Sequence, residues 1–206
     1  METGSKKAGV RIFKHMTLLL KTNDFASLRE GSPLFKSLSL TLSSGDFLLI
    51  QGPNGVGKTS LLRSMCGLLS YTGSLSWKAS CLFLSAQVIH LSHITCTQWL
   101  LHQQTLSSDA PICPLELLKQ AGLEGLQDSL VTSLSLGQKK RLHLSKLLYH
   151  HASLWFLDEP TAGLDEQGCL WLIDLVKAHL AHKGCAMIAT HDPAIFAGME
   201  GKRLCL

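Results

Sequence analysis

The chain has 206 residues, of which 46% are hydrophobic and only 17% charged, with a formal net charge of +4. This length accommodates one domain with a sizeable core. The weak positive charge, without a long basic run, argues against nucleic acid as a partner. The charged share lies below the roughly 25% that is usual for soluble domains, which predicts that part of the surface is covered by something else. No run of about 18 consecutive apolar residues is present, so no segment is expected to span a membrane as a helix.

The N-terminal segment differs in character from the rest of the chain. It contains four basic residues but no apolar segment, so it does not have the pattern of a signal peptide. We expect residues 1–16 to be a basic N-terminal extension; the alternative is that the protein begins at Met16. The seven cysteines are scattered without a C-x-x-C pair, which is typical of reduced cysteines in a reducing compartment.

The first half of the chain predicts strands around one glycine-rich loop. Residues 38–42 alternate apolar and polar side chains, as a half-buried strand does. Residues 47–50 form a short apolar run typical of a buried strand, and residues 59–69 place their apolar side chains on one helical face. Tyr71–Trp77 is predicted to be a hairpin arm and Cys81–Leu84 another buried strand.

The second half begins with helical patterns and then returns to strands. Pro111 and Pro114 divide the helical part, which extends from about residue 88 to residue 150. The predicted elements are helices at 97–104, Pro114–Gln120 and 136–150, a buried strand at 154–157, an amphipathic helix at 167–182 and a buried strand at 186–189. This alternation predicts an α/β fold with a mostly parallel sheet, helices on both faces and one inserted helical subdomain.

The glycine-rich loop matches the pattern G-x-x-x-x-G-K-[ST] between a predicted strand and a predicted helix. Its backbone N–H groups and the start of the helix favour phosphate binding. Lys58 is expected to reach the β- and γ-phosphates, and Thr59 to offer its hydroxyl to Mg²⁺. Alone, the loop indicates a P-loop NTPase, a class that includes kinases, GTPases and motor proteins. The predicted phosphate-binding residues are Gly52, Pro53, Asn54, Gly55, Val56, Gly57, Lys58, Thr59 and Ser60.

Two carboxylates follow the apolar run 154–157. Ligands of open α/β sheets bind at the carboxyl ends of the strands, where this pair is expected to lie. Asp158 is suited to hold Mg²⁺ through its water shell, and Glu159 to orient and deprotonate an attacking water. An ordinary strand exit would also explain the dipeptide, but not its combination with the phosphate loop.

Residues 134–138 read Leu-Ser-Leu-Gly-Gln and resemble the Leu-Ser-Gly-Gly-Gln signature of ABC-transporter nucleotide-binding subunits. Leu136 replaces the first glycine of that signature. The resemblance implies that Ser135 and the N–H of Gly137, with Gln138 in the same turn, contact the γ-phosphate bound to a second subunit. A Ser-Gly turn at a helix N-terminus is also an anion site on physical grounds.

Three further residues follow the order of that family. Gln87 corresponds to the Q-loop glutamine, which senses Mg²⁺ and the attacking water. Asp165 lies in the D-loop, which bridges the two subunits, and His191 matches the switch histidine that contacts the γ-phosphate. Arg29 stands where the family usually places an aromatic residue that stacks on adenine; Phe25 is the nearby alternative.

The resemblance implies an ABC-ATPase fold over residues 17–206, with an antiparallel β arm and a helical subdomain at about 88–150. It implies an ATPase that uses ATP and Mg²⁺ and closes head to tail on a second copy of itself. It further implies integral-membrane transporter subunits as partners, with the chain peripheral on the cytoplasmic face of the inner membrane. The segment 88–108 is expected to line the groove that receives those subunits.

Within the family the sequence is most similar to CcmA-type subunits, the ATPases of a haem-handling complex in cytochrome c maturation. This similarity rests on the compact length, on G-P-N-G-V-G-K-T-S-L-L-R and on the Leu-Trp pair before Leu157. An ATPase for another small cargo and a soluble ABC ATPase, such as one for iron–sulfur assembly, remain alternatives. A nucleotide kinase does not account for Ser135 or His191. Three histidines at 90, 93 and 102 lack the spacing of a metal site.

Overall fold

The computed structural model describes residues 17–29, 31–35, 37–86, 93–106 and 111–206, without the side chain of Arg29. The predicted extension at 1–16 and Gln87 therefore lie outside the described residues. The strands are β1 (Leu18–Arg29), β2 (Ser32–Pro33), β3 (Leu38–Ser43), β4 (Phe47–Gln51), β5 (Tyr71–Trp77), β6 (Cys81–Leu84), β7 (Leu154–Asp158), β8 (Cys185–Thr190) and β9 (Lys202–Cys205). The helices are α1 (Lys58–Met65), α2 (Cys96–Thr105), α3 (Pro114–Gln120), α4 (Leu136–Leu144) and α5 (Glu166–Ala181).

Five strands form a parallel sheet in the order β6-β7-β8-β4-β9. Side chains alternate between its two faces, as the pleat of a strand requires. Leu48 and Ile50 of β4 join a core that includes α1, whereas Phe47 and Leu49 join a core that includes α5. The central strands β7 and β8 are buried over their whole length, which explains why their sequences are continuous apolar runs.

The antiparallel part is a second sheet centred on β1, which pairs with β2, β3 and β5. It packs on the α1 face of the parallel sheet through Leu19, Leu20, Phe25 and Leu42. Helices α2, α3 and α4 have a third core of their own, which includes Trp99, Leu117 and Tyr149 in its set of buried side chains. The predicted α/β fold, with an antiparallel arm and an inserted helical subdomain, is confirmed.

The element boundaries differ from the predictions where local geometry overrides periodicity. The helix predicted at 59–69 ends at Met65, because the chain turns at Gly67 with φ +77°. The helix predicted at 136–150 ends at Leu144 and continues as a 3₁₀ turn, Ser145–Leu148. Strand β6 lies at the edge of its sheet, so only Leu84 is fully buried. Strands β1, β2 and β9 were not predicted. None of the helices in the described ranges has the length and apolar character needed to cross a membrane.

A buried histidine in α4 gives the fold a pH dependence. His143 is 4% exposed, and neither ring nitrogen has a hydrogen-bond partner among the described residues. Burial, reinforced by the positive charges of Lys146 and Lys140, lowers the pKa of His143 from the ordinary value of 6.5 to about 3. The unfolded chain therefore binds a proton below about pH 6.5 that the folded chain takes up only near pH 3, so stability is lost as the pH falls through this window.

We expect His143→Leu to reduce this acid sensitivity. Between pH 6.5 and 4.5 the variant should lose about 2 kcal/mol less unfolding free energy than the wild type. Urea unfolding followed by circular dichroism at several pH values measures the difference. The matched control is His102→Leu, since His102 is exposed on α2. Parallel pH profiles for His143→Leu and the wild type would contradict this account.

Candidate functional site

Five of the polar residues predicted to act on nucleotide lie at one edge of the parallel sheet: Lys58, Thr59, Asp158, Glu159 and His191. Loop 52–57 follows β4, Asp158 ends β7 and Glu159 follows it, and His191 follows β8. These strands are neighbours and parallel, so their carboxyl ends meet at the same edge. This edge is where ligands bind in open α/β folds.

Loop 52–57 is shaped by backbone conformations that only glycine adopts without strain. Gly52 has φ +154°, and a Cβ atom there would lie 2.9 Å from the carbonyl oxygen of Leu206. Gly57 has φ +110° and is the N-cap of α1, so no side chain covers the first turn of that helix. The backbone N–H groups of this turn are therefore left to a ligand, and a helix N-terminus favours an anionic one.

Lys58 places a positive charge against this loop. Its side chain is 6% exposed, and Nζ donates hydrogen bonds to the carbonyl oxygens of Gly52, at 2.7 Å, and Pro53, at 3.1 Å. The same Nζ lies 3.5 Å from Oε1 of Glu159. The ammonium group thus sits between the phosphate loop and the carboxylate that follows β7, which suits the charge of a phosphate group at this position.

Thr59 and Asp158 form an oxygen-rich pair beside Lys58. The hydroxyl of Thr59 donates to both carboxylate oxygens of Asp158, each at 2.9 Å. Burial raises the pKa of Asp158, and the hydrogen bond from Thr59 opposes that rise. A hydroxyl next to a buried carboxylate is the kind of donor set that Mg²⁺ prefers, so these residues fit that ion.

Glu159 and His191 form the second pair of the site. Oε2 of Glu159 is 2.8 Å from Nδ1 of His191 and accepts a hydrogen bond from its backbone N–H at 3.3 Å. Oε1 is buried and has no hydrogen-bond partner among the described residues. The backbone of Glu159 is in the left-handed region, with φ +45°, which is unusual for a non-glycine residue. Oε2 is therefore held by His191, whereas Oε1 faces the ammonium group of Lys58 at 3.5 Å.

The signature turn at 134–138 caps helix α4. The Ser135 hydroxyl accepts a hydrogen bond from the backbone N–H of Gln138, and the Gln138 side chain accepts one from the Ser135 N–H, which makes a capping box. A Cβ on Gly137 would approach the carbonyl oxygen of Gly163 to 3.0 Å, so a small residue is required there. Leu136 packs beside Gly163 and is 65% exposed. The turn therefore presents Ser135 and Leu136 to the outside of the chain.

Asp165 links this turn to the segment that follows Glu159. Its Oδ1 accepts hydrogen bonds from Nη2 of Arg141, at 2.7 Å, and from the backbone N–H of Gly168, at 2.8 Å. The Arg141 hydrogen bond is the main reason that the pKa of Asp165 lies below its ordinary value, and the Gly168 hydrogen bond adds to it. Asp165 is thus the N-cap of α5 and at the same time accepts a hydrogen bond from Arg141 of α4.

The structure brings together Lys58, Thr59, Asp158, Glu159 and His191. The signature turn lies against the segment that leads to Asp165, because Gly137 approaches Gly163 and Arg141 of α4 binds Asp165. Gln87 lies outside the described residues, as do residues 88–92 and 107–108 of the predicted groove-lining segment, whereas residues 93–106 of that segment are described and contain α2. Phe25 is fully buried and stacks on Tyr71, so it cannot reach an external adenine ring.

Sequence reasoning gave no role to Lys140, whose amine contacts the backbone of Glu159. Nor did it find the Arg141–Asp165 pair, which joins residues 24 positions apart. The only sequence signal for either is a run of three basic residues directly after the signature. Such a run normally indicates a solvated helix face.

Fold and site together define the class of protein: an α/β phosphate-loop protein with the groups needed to hydrolyse a nucleoside triphosphate. Comparison with known proteins specifies the family. The profile of the ABC transporter family matches residues 35–162. The cytochrome c biogenesis ATP-binding export protein CcmA of Idiomarina loihiensis is 35% identical over 201 residues, covering 91% of this chain and 92% of the relative. The CcmA protein of Yersinia pestis bv. Antiqua is 32% identical over 171 residues, covering 76% and 78%.

The chain therefore belongs to the ABC transporter family, among its CcmA-type ATP-binding proteins. Two solved structures support the fold. One is a metal-chelate type ABC transporter in an inward-facing conformation, with a TM-score of 0.77 and 23% identity over 93% of this chain and 80% of that chain. The other is an ABC transporter ATP-binding protein from Pyrococcus furiosus, with a TM-score of 0.79 and 21% identity over 91% and 96%. Membership in this family implies ATP binding, ATP hydrolysis, dimerisation and transporter partners in a membrane.

Proposed function

We propose that this chain is the ATP-hydrolysing subunit of an ABC export complex that acts in cytochrome c biogenesis, where it powers haem release or export. The observation that carries the proposal is the CcmA relative that is similar over nine-tenths of both chains. The contacts of the Glu159 carboxylate with His191 and Lys58 support its role in ATP hydrolysis. In this proposal residues 17–206 are one nucleotide-binding domain with a helical subdomain at about 88–150, preceded by a basic extension at 1–16.

The phosphate chain of ATP binds across loop 52–57, the N-terminus of α1 and the ammonium group of Lys58. The loop residues from Gly52 to Gly57 offer backbone N–H groups, except Pro53, which has none, and Thr59 and Ser60 add hydroxyl groups at the first helical turn. Thr59, Asp158 and Gln87 would hold Mg²⁺, which would supply charge stabilisation to the phosphates. The convergence of the Thr59 hydroxyl on Asp158 supports this ligand set.

Glu159 is the general base, and His191 orients it. The imidazole is within 2.8 Å of Oε2, which leaves Oε1 to accept the proton of the attacking water. Lys58, at 3.5 Å from Oε1, stabilises the carboxylate beside the negative charge of the substrate. His191 is 53% exposed, so its ring is also accessible to the γ-phosphate. Gln87 is proposed to position the same water.

Two copies close head to tail on two ATP molecules. Ser135, Gly137 and Gln138 of one copy contact the γ-phosphate held by loop 52–59 of the other, and Asp165 lies at the contact between them. The exposed Ser135 and Leu136 support this arrangement, because a second chain can reach them. An isologous interface of this kind uses the same surface of both copies. Hydrolysis removes the γ-phosphate contacts and opens the pair.

The dimer drives integral-membrane transporter subunits from the cytoplasmic face of the inner membrane, as part of a haem-handling complex. Deleting the gene in its host is expected to abolish covalently bound haem in c-type cytochromes. A wild-type copy should restore it, and a Glu159→Gln copy should not. Haem staining of membrane proteins after denaturing electrophoresis measures the effect. Normal c-type cytochromes in the deletion strain would contradict the cytochrome role and favour another small cargo.

Tagged chain purified from detergent-solubilised membranes should carry polytopic subunits with it. Recovery of the chain from the soluble fraction alone, without such subunits, would favour a soluble ABC ATPase such as an iron–sulfur assembly ATPase.

A further inference from the structure

Lys140 is a buried lysine in the helix that follows the signature turn. It is 1% exposed, although lysine is among the residues least often buried. Burying an ammonium group is costly unless its donors are satisfied. Its neighbour Lys139 has a partly accessible side chain and donates to the carbonyl oxygen of Thr132, within the helical subdomain. The two adjacent lysines of α4 therefore occupy different environments, which makes Lys139 a matched control.

The acceptors of Lys140 are main-chain carbonyls of the candidate site. Nζ donates to the carbonyl oxygen of Glu159 at 3.0 Å and to that of Ala86 at 3.4 Å. No carboxylate oxygen lies within 4.0 Å of Nζ among the described residues. The position of the Lys140 ammonium group is therefore set by the two carbonyl oxygens and not by an ion pair. Burial lowers the pKa of Lys140 to about 8, and the negative charges of Asp158 and Glu159 oppose that shift.

The carbonyl bound by Lys140 belongs to a residue in a strained conformation. A left-handed backbone at a non-glycine residue costs about 1 kcal/mol or more and persists only when its surroundings hold it. The N–H of Glu159 donates to the carbonyl oxygen of Ala189 at 2.9 Å, and its own carbonyl accepts from Ala162 N–H at 3.3 Å and from Lys140. Two of these three hydrogen bonds are accepted by the carbonyl of Glu159. The one from Lys140 is the shorter of the two, and its donor is a charged group.

We propose that Lys140 is a positioning residue for hydrolysis: by holding the backbone of Glu159, it aims the carboxylate at the attacking water. It also ties α4 to the carbonyl of Ala86, where the chain enters the segment that contains Gln87. The backbone dihedrals of Glu159 fix the direction of its Cα–Cβ bond, so a change at the carbonyl moves the carboxylate. Displacing a catalytic group by about 1 Å can cost on the order of a hundredfold in rate.

The inference rests on the proposed role of Glu159, and a set of three variants tests it. Lys140→Met removes the donors at similar volume and is expected to lower kcat by about 10- to 100-fold. KM for ATP should change less than about twofold, because Lys140 does not contact loop 52–59. Lys140→Arg keeps a cationic donor and should restore most of the lost rate. Lys139→Met should leave kcat and KM near wild type.

A second readout separates positioning from a structural role. Slower hydrolysis lengthens the life of the ATP-bound dimer, so Lys140→Met should accumulate that dimer in Mg-ATP. A variant that is merely destabilised would accumulate less of it. If Lys140→Met does not fold, Lys140→Gln, which keeps one N–H donor group, is measured in its place with the same expectation of reduced kcat and unchanged KM.

Wild-type kcat in Lys140→Met, or an equal loss in the methionine and arginine variants, would overturn the inference. The two levels of the account can fail separately. If Glu159→Gln retains turnover, the proposed hydrolytic function fails whatever Lys140 does. If Glu159→Gln is inactive and Lys140→Met hydrolyses ATP at the wild-type rate, only the role of Lys140 is lost.

Discussion

Glu159→Gln is expected to lower kcat for ATP hydrolysis by about a thousandfold while ATP binding persists. General bases contribute on this scale, and an amide cannot take the proton that a carboxylate takes. The glutamine has the same shape, and its side-chain oxygen can still accept from the backbone N–H of His191. The phosphate loop and Lys58 keep their hydrogen bonds to each other. A phosphate-release assay and equilibrium binding of a fluorescent ATP analogue measure the two quantities.

Glu200→Gln is the matched control for this experiment, because Glu200 is exposed outside the site. It should hydrolyse ATP at the wild-type rate. A Glu159→Gln variant that also retains the wild-type rate would remove Glu159 from the chemistry. It would require another residue to accept the proton.

Lys58→Met is expected to weaken ATP binding by about a hundredfold and to abolish measurable turnover. Each charge-assisted hydrogen bond to a phosphate is worth about 1.5–3 kcal/mol, and the ammonium of Lys58 is the cation that loop 52–57 holds in place. Its removal also takes away the positive charge 3.5 Å from Oε1 of Glu159. Isothermal titration with ATP, followed by an activity assay at saturating ATP, separates the two losses.

Lys177→Met makes the same chemical change on the exposed face of α5 and should bind ATP as the wild type does. Wild-type affinity in Lys58→Met would contradict the placement of the phosphates at this loop. Loss of affinity in both variants would point to net charge, rather than a local contact, as the source of binding.

The central residues of the candidate site could be predicted from the sequence. They belong to short local motifs, and the carboxyl ends of parallel strands are known to form the ligand site in such folds. The phosphate loop is contiguous, and its strand–loop–helix setting is visible in the alternation of apolar runs. Asp158 and Glu159 come after the apolar run 154–157, and His191 comes two positions after the apolar run 186–189, which predicts neighbouring buried parallel strands. Since such strands end at one edge, the sequence alone predicts that these residues lie close together.

Contacts between distant segments could not be predicted in the same way. Lys140 and Arg141 stand in a basic run that looks solvent-exposed, yet one is buried against the backbone of Glu159 and the other pairs with Asp165. Helical periodicity gives the spacing of side chains on α4 but not which face meets β7. The direction of that face depends on how the helical subdomain packs, and that packing involves residues far apart in the chain.

The unpredicted strands have a related explanation. Strand β1 is 12 residues long with shifts of register against both β3 and β5, so its side chains do not keep a strict alternation. Strand β9 has four residues and only one that is partly buried among exposed ones, because it lies at the edge of the parallel sheet. Edge strands and bulged strands have weak hydrophobic patterns, so they are identified by the strands with which they pair and not by their own sequence.

In the proposed mechanism, a second copy of the chain completes each ATP site. Light scattering of Glu159→Gln after gel filtration in Mg-ATP tests this claim most directly. We predict a particle of two chains, each of 22.5 kDa, which returns to one chain when Ser135→Arg is added in the same background. A Glu159→Gln protein that binds ATP and remains a single chain would contradict it.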